Sequence, residues 1–289
     1  MSVSRAIGVD VGGTSIKAVL ADAHGRVLEL VRRETPSPDV LGDGVVDAVA
    51  RILADVPDDD GLLPVGVVVP GIVDETRGMA VHSANLGWRD LPMAAMLEDR
   101  LGRPIGFGHD VRAGGLAEAR WGAAADATGT IAFVPIGTGI AAAILIDGVP
   151  LVAGGWAGEI GQVRVSDVRF AGRRVEEVAS AAGTARRAAL ADAEAVVRRV
   201  RDGDAAATAV WNDTVDVLAD ALAGMTATIA PTTIVIGGGL ALAGAILFTP
   251  LVRALDERLG PLHRPNVVPA QLGDRAAALG AALIAKHPS

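Results

Sequence analysis

The 289-residue sequence predicts an α/β protein built from two related halves. Two observations carry that class. Short apolar strands run into glycine-rich turns and are followed by segments with helical spacing of apolar residues. One such unit also recurs. "IGVDVGGTSIKAVLADAHG" and, about 125 residues later, "FVPIGTGIAAAILIDG" share an apolar strand, a glycine turn with threonine and a second apolar strand. Repetition at that distance points to two related lobes and not to a short-period solenoid. Two α/β lobes facing each other are expected to leave a ligand cleft between them.

The elements follow in order. Residues 6–20 read as two strands joined by a glycine turn, and "AHGRVLEL" adds a turn and a third strand. "VLGDGVVDAVARILADV" has helical spacing, and "LLPVGVVVPGIVD" is a buried strand ending at Pro70-Gly71. "LPMAAMLEDRLGRP" is a helix that stops before Pro104. "PIGFGHD" is a short strand, and "VRAGGLAEARWG" a helix beginning just after Asp110. "GTIAFVPIGTGIAAAILIDGVPLV" is a strand–turn–strand unit, and residues 174–223 are Ala/Arg-rich and helical. "TTIVIGGGL" runs from strand through glycine turn into helix, and "RAAALGAALIAK" closes the chain as a helix.

Composition narrows the function. Hydrophobic residues make up 51% and aromatics only 3%, so Ala, Val, Leu and Ile must build the core. The formal net charge of −8 argues against a nucleic-acid partner, which needs a basic face, and suits a small-molecule one. No cysteine is present, which excludes disulfides, thiolate metal sites and a cysteine nucleophile. Residues 221–252 carry no charge, but "APTT" and "IGGGL" break them into helix, strand, turn and helix, so no membrane span is expected. The N-terminus lacks the apolar run of a signal peptide, and a cytoplasmic location is expected.

Three glycine-rich turns follow buried strands: Gly12-Gly13-Thr14, Gly137-Thr138-Gly139 and Gly237-Gly238-Gly239. Such turns let backbone N–H groups approach an anion closely. Each alone reads as an ordinary tight turn; three together, two with threonine, favour nucleotide phosphates. Asp10 ends the first strand, and a carboxylate there repels phosphate unless a cation such as Mg²⁺ intervenes. Lys17 returns past the same turn. It and Lys286 are the chain's lysines among 26 Lys+Arg, so a compact point charge aimed at phosphate is expected of it. In "GHDVRAGGLAE", Asp110 starts a helix, beside the lone His109. It reads as a capping aspartate, a catalytic carboxylate, or both. Glu159 stands isolated in "GGWAGEIGQ", where it is a loop glutamate or an acceptor for sugar hydroxyls.

These segments resemble the ROK family of sugar kinases, within the sugar kinase/actin-like ATPase superfamily. "GVDVGGTSIKAVL", "VVPGIVD", "HSANLGW", "GHDVRAGGLAEARWG", "PIGTGIAAAILIDGVPLVAGGWAGEIGQ", "IVIGGGL" and "LGDRAAALGAALIA" occur in family order over nearly the whole chain. The resemblance implies a two-lobed actin-like (ribonuclease H-like) α/β fold with a cleft between lobes. Residues 1–110 are expected to form one lobe and 111–289 the other, with the last helix packing back on the first.

It further implies ATP and Mg²⁺ as cofactors, a sugar substrate and a homodimer; by composition, the apolar helical residues 205–225 are a candidate interface. Asp110 is implied as general base, with His109 where the family usually has asparagine. Gly71, Asn85, His109, Asp110, Glu159, Gln162 and Glu176 are implied at the sugar. Asp10, the three glycine turns and Lys17 are implied at ATP and its metal. The family commonly carries a histidine and a cysteine-rich zinc loop where this chain has Gln162 and "SDVRFAGRRVEEVAS", so no zinc is expected. Spacing favours Glu176 over Glu177 as the loop's terminal glutamate.

The expected activity is ATP-dependent phosphorylation of a hydroxyl on a hexose or hexose derivative. A specialised substrate, an amino sugar, N-acetylated hexosamine or cyclitol, is the alternative. A non-catalytic sugar-sensing regulator is the reading of another class. Such regulators carry an N-terminal helix-turn-helix domain, and a first strand beginning by about residue 5 leaves no room for one.

Overall fold

The structure is a computed structural model that describes residues 5–58 and 63–285. Lys286 lies outside the described residues. The chain forms two compact units. The first holds the described residues up to Ala125, Val149–Ala157 and those from Asp274 onward; the second holds Asp126–Gly148 and Gly158–Gly273.

In the first unit, β1 (Arg5–Val11), β2 (Ser15–Asp22) and β3 (Val27–Glu34) form an antiparallel meander. Helix α1 (Asp43–Ala54) leads to β4 (Val65–Val69), which lies parallel to β1. A small antiparallel sheet of β5 (Ile72–Asp74), β6 (Met79–Ser83) and β7 (Trp88–Leu91) follows. Then come α2 (Met93–Leu101), β8 (Gly106–His109), parallel to β4, and α3 (Asp110–Trp121). The main sheet has the order β3-β2-β1-β4-β8. Its central strands are covered on both faces, so they read as unbroken apolar runs such as the "VGVVV" of β4. Ile7, Val9, Val67, Val49, Ile52, Trp88 and Leu97 fill one side.

The second unit repeats the scheme. β9 (Thr130–Pro135) and β10 (Ala143–Ile146) pair antiparallel, strand Thr233–Gly237 lies parallel to β9, and Asn266–Pro269 lies parallel to that strand. The helical stretch is four helices: α4 (Val175–Ala179), α5 (Ala181–Arg187), α6 (Ala193–Arg201) and α7 (Ala205–Ile229). The last three restart on a side-chain oxygen that accepts a backbone N–H: Ser180 from Gly183, Asp192 from Ala195 and Asp204 from Ala207. The uncharged stretch resolves into the end of α7, the strand, α8 (Gly238–Ala241) and α9 (Ala245–Leu259). Among the described residues no helix is long and apolar enough to cross a membrane.

Helix α10 (Ala276–Leu283) closes the first unit, packing on β1, β4 and α3. The helix opening at Asp110 therefore belongs to the first unit, and the division falls after Ala125 instead of after Asp110. Three glycines make this seat. A Cβ on Gly8 would stand 1.9 Å from the Ala278 carbonyl oxygen, on Gly66 1.9 Å from that of Ala281, and on Gly106 1.8 Å from that of Ile284. On the helix itself, a Cβ on Gly280 would stand 1.9 Å from the Ala113 carbonyl of α3. Gly66→Ala must then push backbone away from backbone and is expected to cost about 3 kcal/mol or more. Gly224→Ala in α7 meets nothing within 4 Å and is expected to be neutral or stabilising by about 0.5–1 kcal/mol. Urea denaturation of the two variants checks the contrast.

Candidate functional site

The parallel strands β1, β4 and β8 end at one sheet edge, with Asp10 opposite Val68 and Val69 opposite His109. That edge, outside the carboxyl ends of strands, is where ligands bind in open α/β sheets. It gathers Asp10, the turn Gly12-Gly13-Thr14, Gly71, His109 and Asp110. Two strand spacings, roughly 10 Å, separate the β1 and β8 ends. The turn is tied down: Thr35 Oγ1 donates to the Gly12 carbonyl at 2.7 Å, and the Thr35 amide to that of Thr14 at 3.1 Å. Asn85, in the turn between β6 and β7, lies over it, since a Cβ on Gly13 would come within 3.5 Å of Asn85 Nδ2. Gly71 turns the chain from β4 into β5 with φ of 104°, its Cα face pressed on the His82 carbonyl.

Asp10 is buried, and loss of hydration pushes its carboxyl up to about 6, with Lys17 opposing and Asp274 adding to the rise. Lys17 Nζ lies 3.9 Å from Asp10 Oδ2 and donates to the Asp274 carbonyl at 2.9 Å. Arg32 holds the Asp274 carboxylate at 2.7 Å, which keeps that carboxyl below its ordinary value. One ammonium thus bridges two acidic residues at short range, a task suited to three donors on a point and not to a planar fork. Lysine at this position is explained before any ligand enters. Among the described residues no cluster of three or more His, Asp or Glu side chains could hold a metal. A single carboxylate with an ammonium beside it fits Mg²⁺ that arrives on nucleotide phosphates and keeps its waters.

Asp110 is the first residue of α3, and His109 is the residue that caps it. Asp110 Oδ1 accepts the Val111 amide at 2.7 Å and stands 3.1 Å from His109 Nε2. His109 is only 6% exposed, and burial, helped by the Arg112 charge, pushes it down to about 3. The imidazole is therefore neutral at pH 7, and its contact with Asp110 is an Nε2–H donating to a carboxylate. Nδ1 is then a buried acceptor without a partner among the described residues. Glu75, which no sequence motif marked, organises the surroundings. Its Oε1 accepts the His109 amide at 3.0 Å and Arg112 Nε at 2.8 Å, while Arg112 Nη2 donates to the Val73 carbonyl at 2.8 Å. The available signal was Arg112 itself, a charge among the small residues of "DVRAGGLAEA".

In the second unit the other two turns meet. The Ile136 amide donates to the Gly237 carbonyl at 2.9 Å, and Leu240 returns a bond to Ile136 at 3.1 Å. The Ala181 amide, at the start of α5, donates to the Gly137 carbonyl at 2.9 Å. Beside them is a cavity of about 390 Å³ lined by Thr138, Ala181, Ala182, Ala185, Arg186 and Asp192, among others. Gly238 and Gly239 open the short α8. Glu176 faces the second turn, since a Cβ on Gly139 would come within 3.0 Å of its Oε2. Gln162 Nε2 donates to Glu176 Oε1 at 2.8 Å, and Arg174 Nη1 donates to Gln162 Oε1 at 2.9 Å. Glu177 is instead occupied with the Arg174 amide at 2.7 Å. Glu159 is half-buried in the turn whose carbonyl accepts the Gln162 amide at 3.0 Å.

A family model described as "ROK family" matches residues 6–288. The chain belongs to the ROK family. A glucokinase of Thermotoga maritima is 31% identical over 98% of this chain and 98% of its own length. An N-acetylmannosamine kinase of Escherichia fergusonii is 30% identical over 97% of this chain and 98% of its own. Among solved structures, a ROK family glucokinase from Streptomyces griseus, in complex with glucose and AMPPNP, superposes with a TM-score of 0.84. That enzyme is 25% identical, and the match covers 97% of this chain and 99% of the other.

Burial of neutral His109 links stability to pH. Its folded value lies below the ordinary 6.5, so the unfolded chain binds the extra proton first. The contribution is complete above pH 6.5 and is lost as pH falls toward 3, amounting to about 2 kcal/mol by pH 5. Glu75, Asp110 and Arg112 are the charged groups facing it. Denaturant midpoints from pH 7.5 to 5 are expected to fall more steeply for the native chain than for His109→Gln.

Proposed function

We propose that this protein is an ATP-dependent kinase for a hydroxyl group of a hexose or hexose derivative, with Asp110 as general base. The observation that carries the reading is the Asp110 carboxylate, fixed by two donors on the same sheet edge as the first glycine turn. The family membership and the glucokinase relatives over nearly the full chain support it. Phosphoryl transfer asks mainly for positioning and charge neutralisation. The sugar hydroxyl is held in line with the γ-phosphorus. Asp110 takes its proton as the new O–P bond forms and the bond to ADP breaks.

Gly12, Gly13 and Thr14, with Lys17 close by, offer amides and positive charge to phosphate. Thr138 and the cavity beside α5 suit the nucleotide, with Gly137, Gly139 and Gly237–Gly239 supplying close backbone approach. Asp10 would hold Mg²⁺ through water, and the ion would neutralise phosphate charge. Gly71, Asn85, His109, Glu159, Gln162 and Glu176 are assigned to the sugar. A hexose derivative such as an N-acetylated hexosamine is the second reading. It is favoured by the Gln162–Glu176–Arg174 network and by His109, which give the sugar end its own side chains.

A homodimer is proposed as the working form. It is supported by an apolar cavity of about 480 Å³ along α7, lined by Ile160, Val163, Val217, Ala221, Met225 and Ile229 among others, with Val163 59% exposed. Light scattering on a sizing column is expected to give twice the 29.2 kDa chain mass, and Val163→Asp to shift it toward one chain. A native monomer at micromolar concentration counts against this.

Asp110→Asn is expected to lower turnover about 10²–10⁴-fold while sugar still binds. ADP release measured across glucose, mannose, N-acetylated hexosamines, allose, fructose and cyclitols identifies the substrate for that comparison. Near-normal turnover in the variant removes Asp110 from its role.

A further inference from the structure

We propose that His109 is a positioning residue for Asp110: its Nε2–H fixes Oδ1 of the carboxylate, and Glu75 and Arg112 hold both in register. This rests on Asp110 acting as the base. The geometry is a closed bracket. Glu75 Oε1 takes the backbone amide on one side of Asp110, at His109, and the guanidinium on the other, at Arg112. Arg112 is 2% exposed and also grips the Val73 carbonyl, so the β5 turn, the end of β8 and the first turn of α3 move as one piece. Inside the bracket the Asp110 side chain still has a free rotation about its own bonds. The Val111 amide at 2.7 Å and His109 Nε2 at 3.1 Å converge on the same oxygen and remove it.

The choice of histidine supports the assignment. The fold gives Nδ1 no partner among the described residues, although the atom is buried. Buried polar atoms without partners are rare because each carries a desolvation penalty. An apolar side chain would fill this space without that penalty. What the imidazole gains in exchange is the single bond to Asp110. The proton must sit on Nε2, because a lone pair there would face the carboxylate.

The test uses three replacements and a double variant, each checked for folding by circular dichroism and thermal midpoint. His109→Leu keeps bulk and removes the donor. His109→Gln places an amide N–H near the position of Nε2, and His109→Asn places one nearer that of Nδ1. With the sugar identified by ADP release, kcat for His109→Leu and His109→Asn is expected to fall roughly 10- to 100-fold, with sugar Kd rising by a factor too small to account for that loss. His109→Gln is expected to recover most of that loss. In the Asp110→Asn background, His109→Leu is expected to cause no further loss, because its effect runs through the missing carboxylate.

A rise in Kd that accounts for the whole change would make His109 a sugar ligand only and overturn the proposal. So would His109→Gln as poor as His109→Asn, a comparison that stands even if the leucine variant fails to fold. Full additivity in the double variant also overturns it. Near-normal turnover of Asp110→Asn alone would instead refute the base assignment, so the two failures are separable.

Discussion

The first unit depends on a contact between main chains. Closing helix α10 rests on the sheet through Gly8, Gly66 and Gly106, where any Cβ would enter a carbonyl of the helix or its end. Such an approach removes the side-chain layer that usually separates helix from sheet. It leaves little room for sliding, because the fit is between rigid backbones and not between adaptable rotamers. Gly280 carries the same fit onward to α3. The residue that opens α3 is Asp110. The position of the proposed base therefore traces back, through two backbone contacts, to glycines on the covered face of the sheet.

At the sheet edge the buried charges Asp10 and Arg112 each have an opposite charge beside them. Removing an ion from water is costly unless another group replaces the hydration. Lys17 does this for Asp10 and Asp274 together, yet the two carboxyls move in opposite directions. Asp10 is buried, and burial outweighs the pull of the Lys17 cation; Asp274 is half in solvent and bonded directly to Arg32. The same ammonium sits between a carboxylate poised near neutrality and one that stays ionised. Glu75 and Arg112 solve the problem differently, with a direct 2.8 Å bond and a second anchor on the Val73 carbonyl.

Much of this was legible in the sequence because it is written locally. A glycine turn after an apolar strand, or Asp110 at a strand-to-helix junction, depends on neighbours a few residues away. The repeat of strand, turn and strand is likewise local, and both sheets show it. Three things were not legible for the opposite reason. Strands β5 to β7 are short and hold together by pairing with each other, so no single one has a readable period. Glu75 acts 34 residues away from His109 and 37 from Arg112, and nothing in "VDETRG" hints at either. The unit boundary was misplaced because α3 follows β8 in the chain but gains its burial from α10, contributed by the far end of the sequence.

The segment between Gln162 and Glu176 is closed at its base by side-chain hydrogen bonds. The chain leaves the turn at Ile160, loops out and returns to start α4. Backbone bonds from Val165 to the Arg173 carbonyl and from Val175 to that of Val163, both 2.9 Å, zip the two arms together. Gln162 closes the base by donating to Glu176 and accepting from Arg174. An amide is the right group for this position because it does both at once, whereas a carboxylate could only accept. The result holds Glu176 against Gly139 of the second turn without any thiolate in the chain. Glutamine at 162 is thus the shared member of the network, and a change there removes the partner of both Glu176 and Arg174 at once.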